Sequence, residues 1–358
     1  MRFPRLNSLA LGLALAATGA HAATPTEPAS STEATKAIAE STSAILRGDS
    51  SAAVKALAAA PADGFVGKDA DYRACMVKRL DAAAPVHATA DITDPFARGV
   101  LEDYQDYWWR AMAVPAQRAM FEAMLLQSLR KRLGVSAEAA KDMDAVEPLL
   151  QQRLLDRGYH AQLGRTMPLR ELMMWRKQET KPWRVELPDG PYTVKVELLD
   201  DFVSRGWTSY GRCERGSAGG WATAEALYAV VPSYTEGLDS EAFRVVFLGH
   251  ETQHFADQNA FPGLAPWELE YRAKLVELAQ AREVSAKRLG YMVTAQSDDI
   301  ESPHTYANKR VVADLTARLG AAPDTVAVER LQQAARELLL EDTARRKGTT
   351  AHADPVAR

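Results

Sequence analysis

The sequence predicts an α+β protein in which a mostly helical N-terminal region precedes a domain made of a small sheet and then helices. Three observations carry this expectation. Apolar residues recur at helical spacing over most of the first 180 positions, the period drops to two after Trp183, and helical spacing returns from Ser240 onward. With 47% apolar and 25% charged residues in 358, the chain has the composition of a folded globular protein large enough for about two domains. Forty-three basic residues against 47 acidic ones leave a net charge of −4, so nothing recommends nucleic acid as a partner.

The elements follow in order. Residues 1–22 read as a secretory signal peptide: Arg2 and Arg5 form a positive start, Leu9 to Ala17 an apolar stretch, and Ala20-His21-Ala22 a small-x-small cleavage site. Its removal takes away two positive charges and shifts the net charge from −4 to −6. The expected location is therefore exported, periplasmic or extracellular, with no membrane span, because no later stretch reaches 18 apolar residues. Oligomeric state is not legible. In an oxidising compartment Cys75 and Cys213 can form one bridge, and two buried thiols are the alternative. Residues 23–32 read as a flexible leader and 345–358 as a disordered tail.

Between them, residues 33–180 are expected to be a helical region. Asp94-Pro95 starts a helix carrying Phe96, Val100, Tyr104 and Trp108; Pro115 opens another with Phe121, Leu125 and Leu129, stopped by Gly134; a longer pattern runs from Ser136 to Leu155. Trp183, Val185 and Leu187, the Asp189-Gly190 turn, and Tyr192, Val194, Val196 and Leu198 spell a hairpin. Thr223 to Val231 reads as a strand, with a short helix as the alternative. Helices are then expected from Asp239 or Ser240 to about Gln258, Pro266 to Leu289, Ser302 to Leu319, and Thr325 to about Thr343.

The motif with a mechanism attached is His250-Glu251-Thr252-Gln253-His254. Histidines at i and i+4 lie about 6 Å apart along one helix face, so both rings can reach a single Zn²⁺ at about 2.0 to 2.1 Å. Glu251 is not a ligand; its carboxylate can take a proton from a metal-bound water. Phe243 and Phe247 precede the motif at helical spacing, which turns this face inward. A catalytic zinc needs a third protein ligand. Position 260 is Ala, which excludes a third His at that spacing. Asp257, on the same face, reads as an outer partner or a solvated helix-end residue. Glu270 is the better candidate, since Ala273 one turn on permits close helix packing, whereas Glu268 points elsewhere. The competing reading of Glu270 is an exposed carboxylate paired with Lys274.

These residues resemble the gluzincin zinc metallopeptidases over about Thr223 to Leu278, one sixth of the chain. The resemblance implies a zincin-like catalytic domain over 181–344, with Glu-Tyr-Arg-Ala at 270–273 as the second motif. It further implies His250, His254 and Glu270 as zinc ligands, Glu251 as general base, and Thr223 to Val231 as the strand that pairs with an extended peptide. The chain departs from many relatives in having Lys274 where they carry an acidic residue that orients a ligand His; Asp257 or Glu277 could take that part. The oxyanion needs a donor, and Ser302-Pro303 places His304 and Tyr306 at a helix start, with Tyr271 and Tyr291 as further candidates. The expected activity is peptide-bond hydrolysis in a peptide or protein substrate. The alternatives are a catalytically inactive zincin-like zinc-binding or interaction protein of the cell envelope, and a helical envelope protein with a chance motif.

Overall fold

A computed structural model describes residues 29–216 and 218–351, with side chains to 348. The expected signal peptide, most of the expected leader, and residues 352–358 lie outside the described residues. Within them the protein is a mixed α+β structure that divides into two compact units, one holding 29–178 and 199–216, the other 179–198 and 218–351.

The first unit begins with α1 (Thr32–Leu46), capped by the Ser31 hydroxyl, and α2 (Ser50–Ala58), capped by Asp49. Then come α3 (Lys68–Leu80), α4 (Pro95–Ala113), α5 (Arg118–Leu133) and α6 (Met143–Leu155). Asp94 caps α4 with Pro95 at its first turn, and Gly134 ends α5 in the left-handed conformation that only glycine adopts cheaply. The helix expected from Ser136 starts only at Met143, where Asp142 supplies the cap. Trp108, Tyr104, Met112 and Leu129 are fully buried in this unit's core.

Strands follow: β1 (His160–Thr166), β2 (Leu169–Leu187) and β3 (Gly190–Arg205), then a single helical turn, α7 (Trp207–Tyr210). β1 and the start of β2 fall inside the region read as helical. The reason is visible in the burial of Leu172, Met173, Met174 and Trp175. A strand covered on both faces loses its two-residue period, and Leu and Met are good helix formers. Cys75 and Cys213 are bridged, closing a loop 138 residues apart in sequence. In the chain-entropy account such a link stabilises the fold by about 5 kcal/mol. Arg79 reinforces it from α3, donating to the Glu214 carboxylate at 2.9 and 3.2 Å and to the Tyr210 carbonyl at 2.7 Å.

The second unit takes the distal part of β2, the proximal part of β3, and β4 (Gly220–Ala222) with β5 (Leu227–Val230). The five strands are ordered β1-β2-β3-β5-β4, with β4 and β5 antiparallel. The strand expected over Thr223 to Val231 is shorter, covering only Leu227–Val230 as β5, and β4 lies just ahead of the expected span. Thr223 lies in the turn between them, its hydroxyl accepting from the Glu225 and Ala226 amides. A π-helix (Ala242–Gly249) then runs directly into α8 (His250–Ala260), followed by α9 (Pro266–Gln280), α10 (Ser285–Thr294), α11 (Pro303–Leu319) and α12 (Val328–Ala351). The helix expected from Pro266 to Leu289 is broken after Gln280, where the Glu241 carboxylate accepts from the amides of Arg282, Glu283 and Val284. The expected tail is helical as far as Ala351, and Arg346 anchors it to Asp342 at 2.7 Å and Glu268 at 3.0 Å. α9 packs against α8, α11 and α12 and is buried along nearly its whole length from Glu270 to Leu278.

Candidate metal centre

The site grows from the junction between the π-helix and α8. Phe243 and Phe247 anchor the π-helix in the core of the second unit, in line with the inward face that their spacing predicts. Gly249 faces α9, where a Cβ would come within 2.9 Å of Gln280 Oε1 and 3.3 Å of Val276 Cγ1. A side chain here would displace the Gln280 amide and crowd Val276. Ala273, fully buried on α9, is small in the same way. A π-helical stretch ahead of such a site is itself a frequent companion of function.

This close packing brings together His250 and His254 from α8 and Glu270 from α9. His250 Nε2 and His254 Nε2 are 3.0 Å apart. Glu270 Oε1 is 3.3 Å from His254 Nε2, and Oε2 is 3.8 Å from His250 Nε2. One ligand atom from each residue lies within 4.8 Å of the others, and all three residues are at least nine-tenths buried. Four-coordinate zinc with bonds of about 2.0 to 2.1 Å separates its ligand atoms by roughly 3.3 Å, so the spacing suits a metal. The donor chemistry suits it too. His250 Nδ1 lies 2.6 Å from Glu277 Oε1, which places the ring proton on Nδ1 and turns the Nε2 lone pair toward His254 and Glu270. Lone pairs from two rings and a carboxylate converge, and a bound cation would satisfy all of them.

Electrostatics reinforce the arrangement. Burial alone would raise the Glu270 carboxyl, yet His304, Lys274 and His254 hold it well below the usual carboxylate range. Burial opposes ionisation of Glu277 as well, but Arg288, 2.6 and 3.0 Å away, and His250 bring it down to about 2. Burial lowers His254, and the Glu270 carboxylate outweighs it and raises the ring. Glu251 is pushed up by burial, an effect that His250 and His254 offset only in part.

The other sequence candidates separate cleanly. Glu268 is remote from the group: Oε2 accepts from the Ala265 amide at 2.8 Å and Oε1 meets Arg346. Asp257 is taken by Gln253 and Arg272, each at 2.8 Å, in a buried network that reaches Asp342 on α12. Of the two proposed orienting carboxylates, Glu277 is the one on a histidine of the group. Glu270 does pair with Lys274, at 3.3 Å, but as a buried contact rather than the exposed one that spacing alone suggested. His304 Nδ1 sits 2.7 Å from Glu270 Oε2, with its ring about a quarter exposed. Tyr306 packs edge-on against Trp267 at 5.3 Å, Tyr271 donates to Asp314 at 2.9 Å, and Tyr291 lies under the Arg288 guanidinium. Sequence reasoning missed Arg288 and the inward course of Lys274; the i, i+4, i+7 spacing of Glu270, Lys274 and Glu277 was the available signal.

No protein-family description, no curated protein and no solved structure matches this chain.

Proposed function

We propose that the protein is an exported zinc-dependent peptidase of gluzincin type that hydrolyses peptide bonds in a peptide or protein substrate. The observation that carries this is the meeting of His250, His254 and Glu270 in one buried group next to Glu251. His250 Nε2, His254 Nε2 and a Glu270 oxygen would hold the ion. Zinc bound there would supply a Lewis acid for the scissile carbonyl and lower the pKa of a water to about 7.

The remaining work belongs to side chains. Glu251, kept more basic than an exposed glutamate by its burial, accepts the proton of the attacking water and returns it to the departing amine. Glu277 holds the His250 ring in one tautomer and orientation. His304, partly exposed at the start of α11, is the candidate donor to the oxyanion, with Tyr306 two residues further on as the second candidate. β4 is the outer strand of the sheet order, so β4, which precedes Thr223, rather than the span Thr223 to Val231, is where an extended substrate would pair. Export is supported by the Cys75–Cys213 bridge and by the signal-like pattern of residues 1–22. Among the described residues no helix is long and apolar enough to cross a membrane.

Two measurements test the reading. Elemental analysis of the mature chain should find one zinc, lost in His250→Ala and His254→Ala. Glu251→Gln should keep the zinc and the fold and lose at least about 100-fold in peptide hydrolysis. Zinc with no hydrolysis above the Glu251→Gln level, on a broad peptide mixture, would instead make this an inactive zinc-binding protein. No zinc after re-addition would remove the metal reading.

A further inference from the structure

We infer that Lys274 is a positioning residue that, together with His304, occupies Glu270 Oε2 and leaves Oε1 as the single carboxylate oxygen offered to the metal. The inference rests on the zinc reading above and deepens it.

Lys274 Nζ lies 3.3 Å from Glu270 Oε2, one turn further along α9, and the lysine is only 3% exposed. His304 Nδ1 approaches the same oxygen at 2.7 Å from a different helix. Oε1, by contrast, faces His254 Nε2 at 3.3 Å. Oε2, 3.8 Å from His250 Nε2, is thus shared with two cationic or donor groups, whereas Oε1 meets His254 alone. A buried ammonium costs several kcal/mol unless it is paired, so its place beside Glu270 is not incidental packing. Lys274 also lies close enough to act electrostatically on Glu277, the carboxylate that holds His250. One buried cation therefore steadies both acidic side chains that α9 turns toward α8.

A carboxylate with both oxygens available can bind a metal through one or two of them, and a fixed charge on one oxygen removes that choice. A zinc held there would then take one oxygen from Glu270, which would leave room for a water or substrate ligand. An acidic residue at this point would repel Glu270; Lys274 acts on the ligand carboxylate, while Glu277 orients the histidine.

The test uses the full mature chain loaded with zinc or with cobalt(II), in wild type, Lys274→Met and Lys274→Gln. Lys274→Met should weaken zinc 10- to 100-fold in a chelator competition, with the cobalt(II) visible bands losing intensity as the coordination number rises. Lys274→Gln, which keeps an N–H donor at that place, should recover part of both effects, and it serves alone if Lys274→Met does not fold. In that case an affinity at least fivefold below wild type with weakened cobalt bands supports the inference. Wild-type affinity within twofold and an unchanged cobalt spectrum in the variant that folds would overturn it. A wild-type chain that takes up neither metal would overturn the zinc reading itself, a separate result from an unchanged variant.

Discussion

Glu277 Oε1 lies 2.6 Å from His250 Nδ1, and neither side chain has appreciable contact with solvent. The carboxylate fixes which ring nitrogen carries the proton, and the Arg288 guanidinium fixes the carboxylate. Glu277→Gln keeps the shape but offers a weaker acceptor to the ring, so zinc affinity should fall about 10- to 100-fold. Competition with a chromophoric chelator reads this directly, and an affinity equal to wild type would show that His250 needs no such support.

The proposed third ligand, Glu270, can be separated from its neighbours by the size of the loss. Glu270→Gln should weaken zinc by more than the roughly 100-fold that outer carboxylates govern, while Glu268→Gln should leave it nearly unchanged, since Glu268 is spent on the start of α9 and on Arg346. Asp257→Asn should act mainly on stability, because it leaves Arg272 short of a buried partner. Zinc titration of the three variants beside their denaturation midpoints would reveal the pattern, and a larger zinc loss in Asp257→Asn than in Glu270→Gln would reverse the assignment.

A pH effect should arise within the first unit. Glu171, 4% exposed, accepts from the amides of Leu172 and Trp207 at 3.0 Å each, but burial dominates and raises its pKa to about 7. A carboxyl whose folded pKa lies above its unfolded value near 4.5 binds its proton more tightly in the folded state. Its contribution is therefore unaffected below about pH 4.5, erodes as pH rises to about 7, and is constant above that. At about 1.4 kcal/mol per unit the erosion amounts to roughly 3 kcal/mol. Glu171→Gln cannot ionise, so its advantage over wild type in unfolding free energy should grow between pH 4.5 and 7. A difference that stays flat across this window would mean that Glu171 is ionised in the folded protein.

How much of this could be read beforehand depends on whether a side chain's direction follows from local spacing. The His250-Glu251-x-x-His254 face was legible because two histidines one turn apart must share a side of α8, whatever surrounds them. Glu270 was legible through Ala273, a small residue that permits helices to close. The course of Lys274 was legible only in part: its spacing puts it on one face with Glu270 and Glu277, but α9 is buried on several faces at once, so nothing local tells that this face is inward. A loss of period hid the front of β2, where Leu172 to Trp175 are buried on both faces; β1 keeps its alternation over His160 to Leu163 but is too short to stand out. The break after Gln280 depends on Glu241, about forty residues earlier, and no local pattern encodes such a contact.

The Cys75–Cys213 bridge has a consequence for cutting the chain. The Pro188-Asp189 turn joining β2 to β3 lies within the span the bridge closes, and the strand segments 179–198 that this span sends out belong to the second unit. A protease that nicks this turn separates Cys75 from Cys213 along the backbone but leaves the two pieces joined through sulfur. On a denaturing gel the nicked protein should migrate as one species until a thiol is added, then as two.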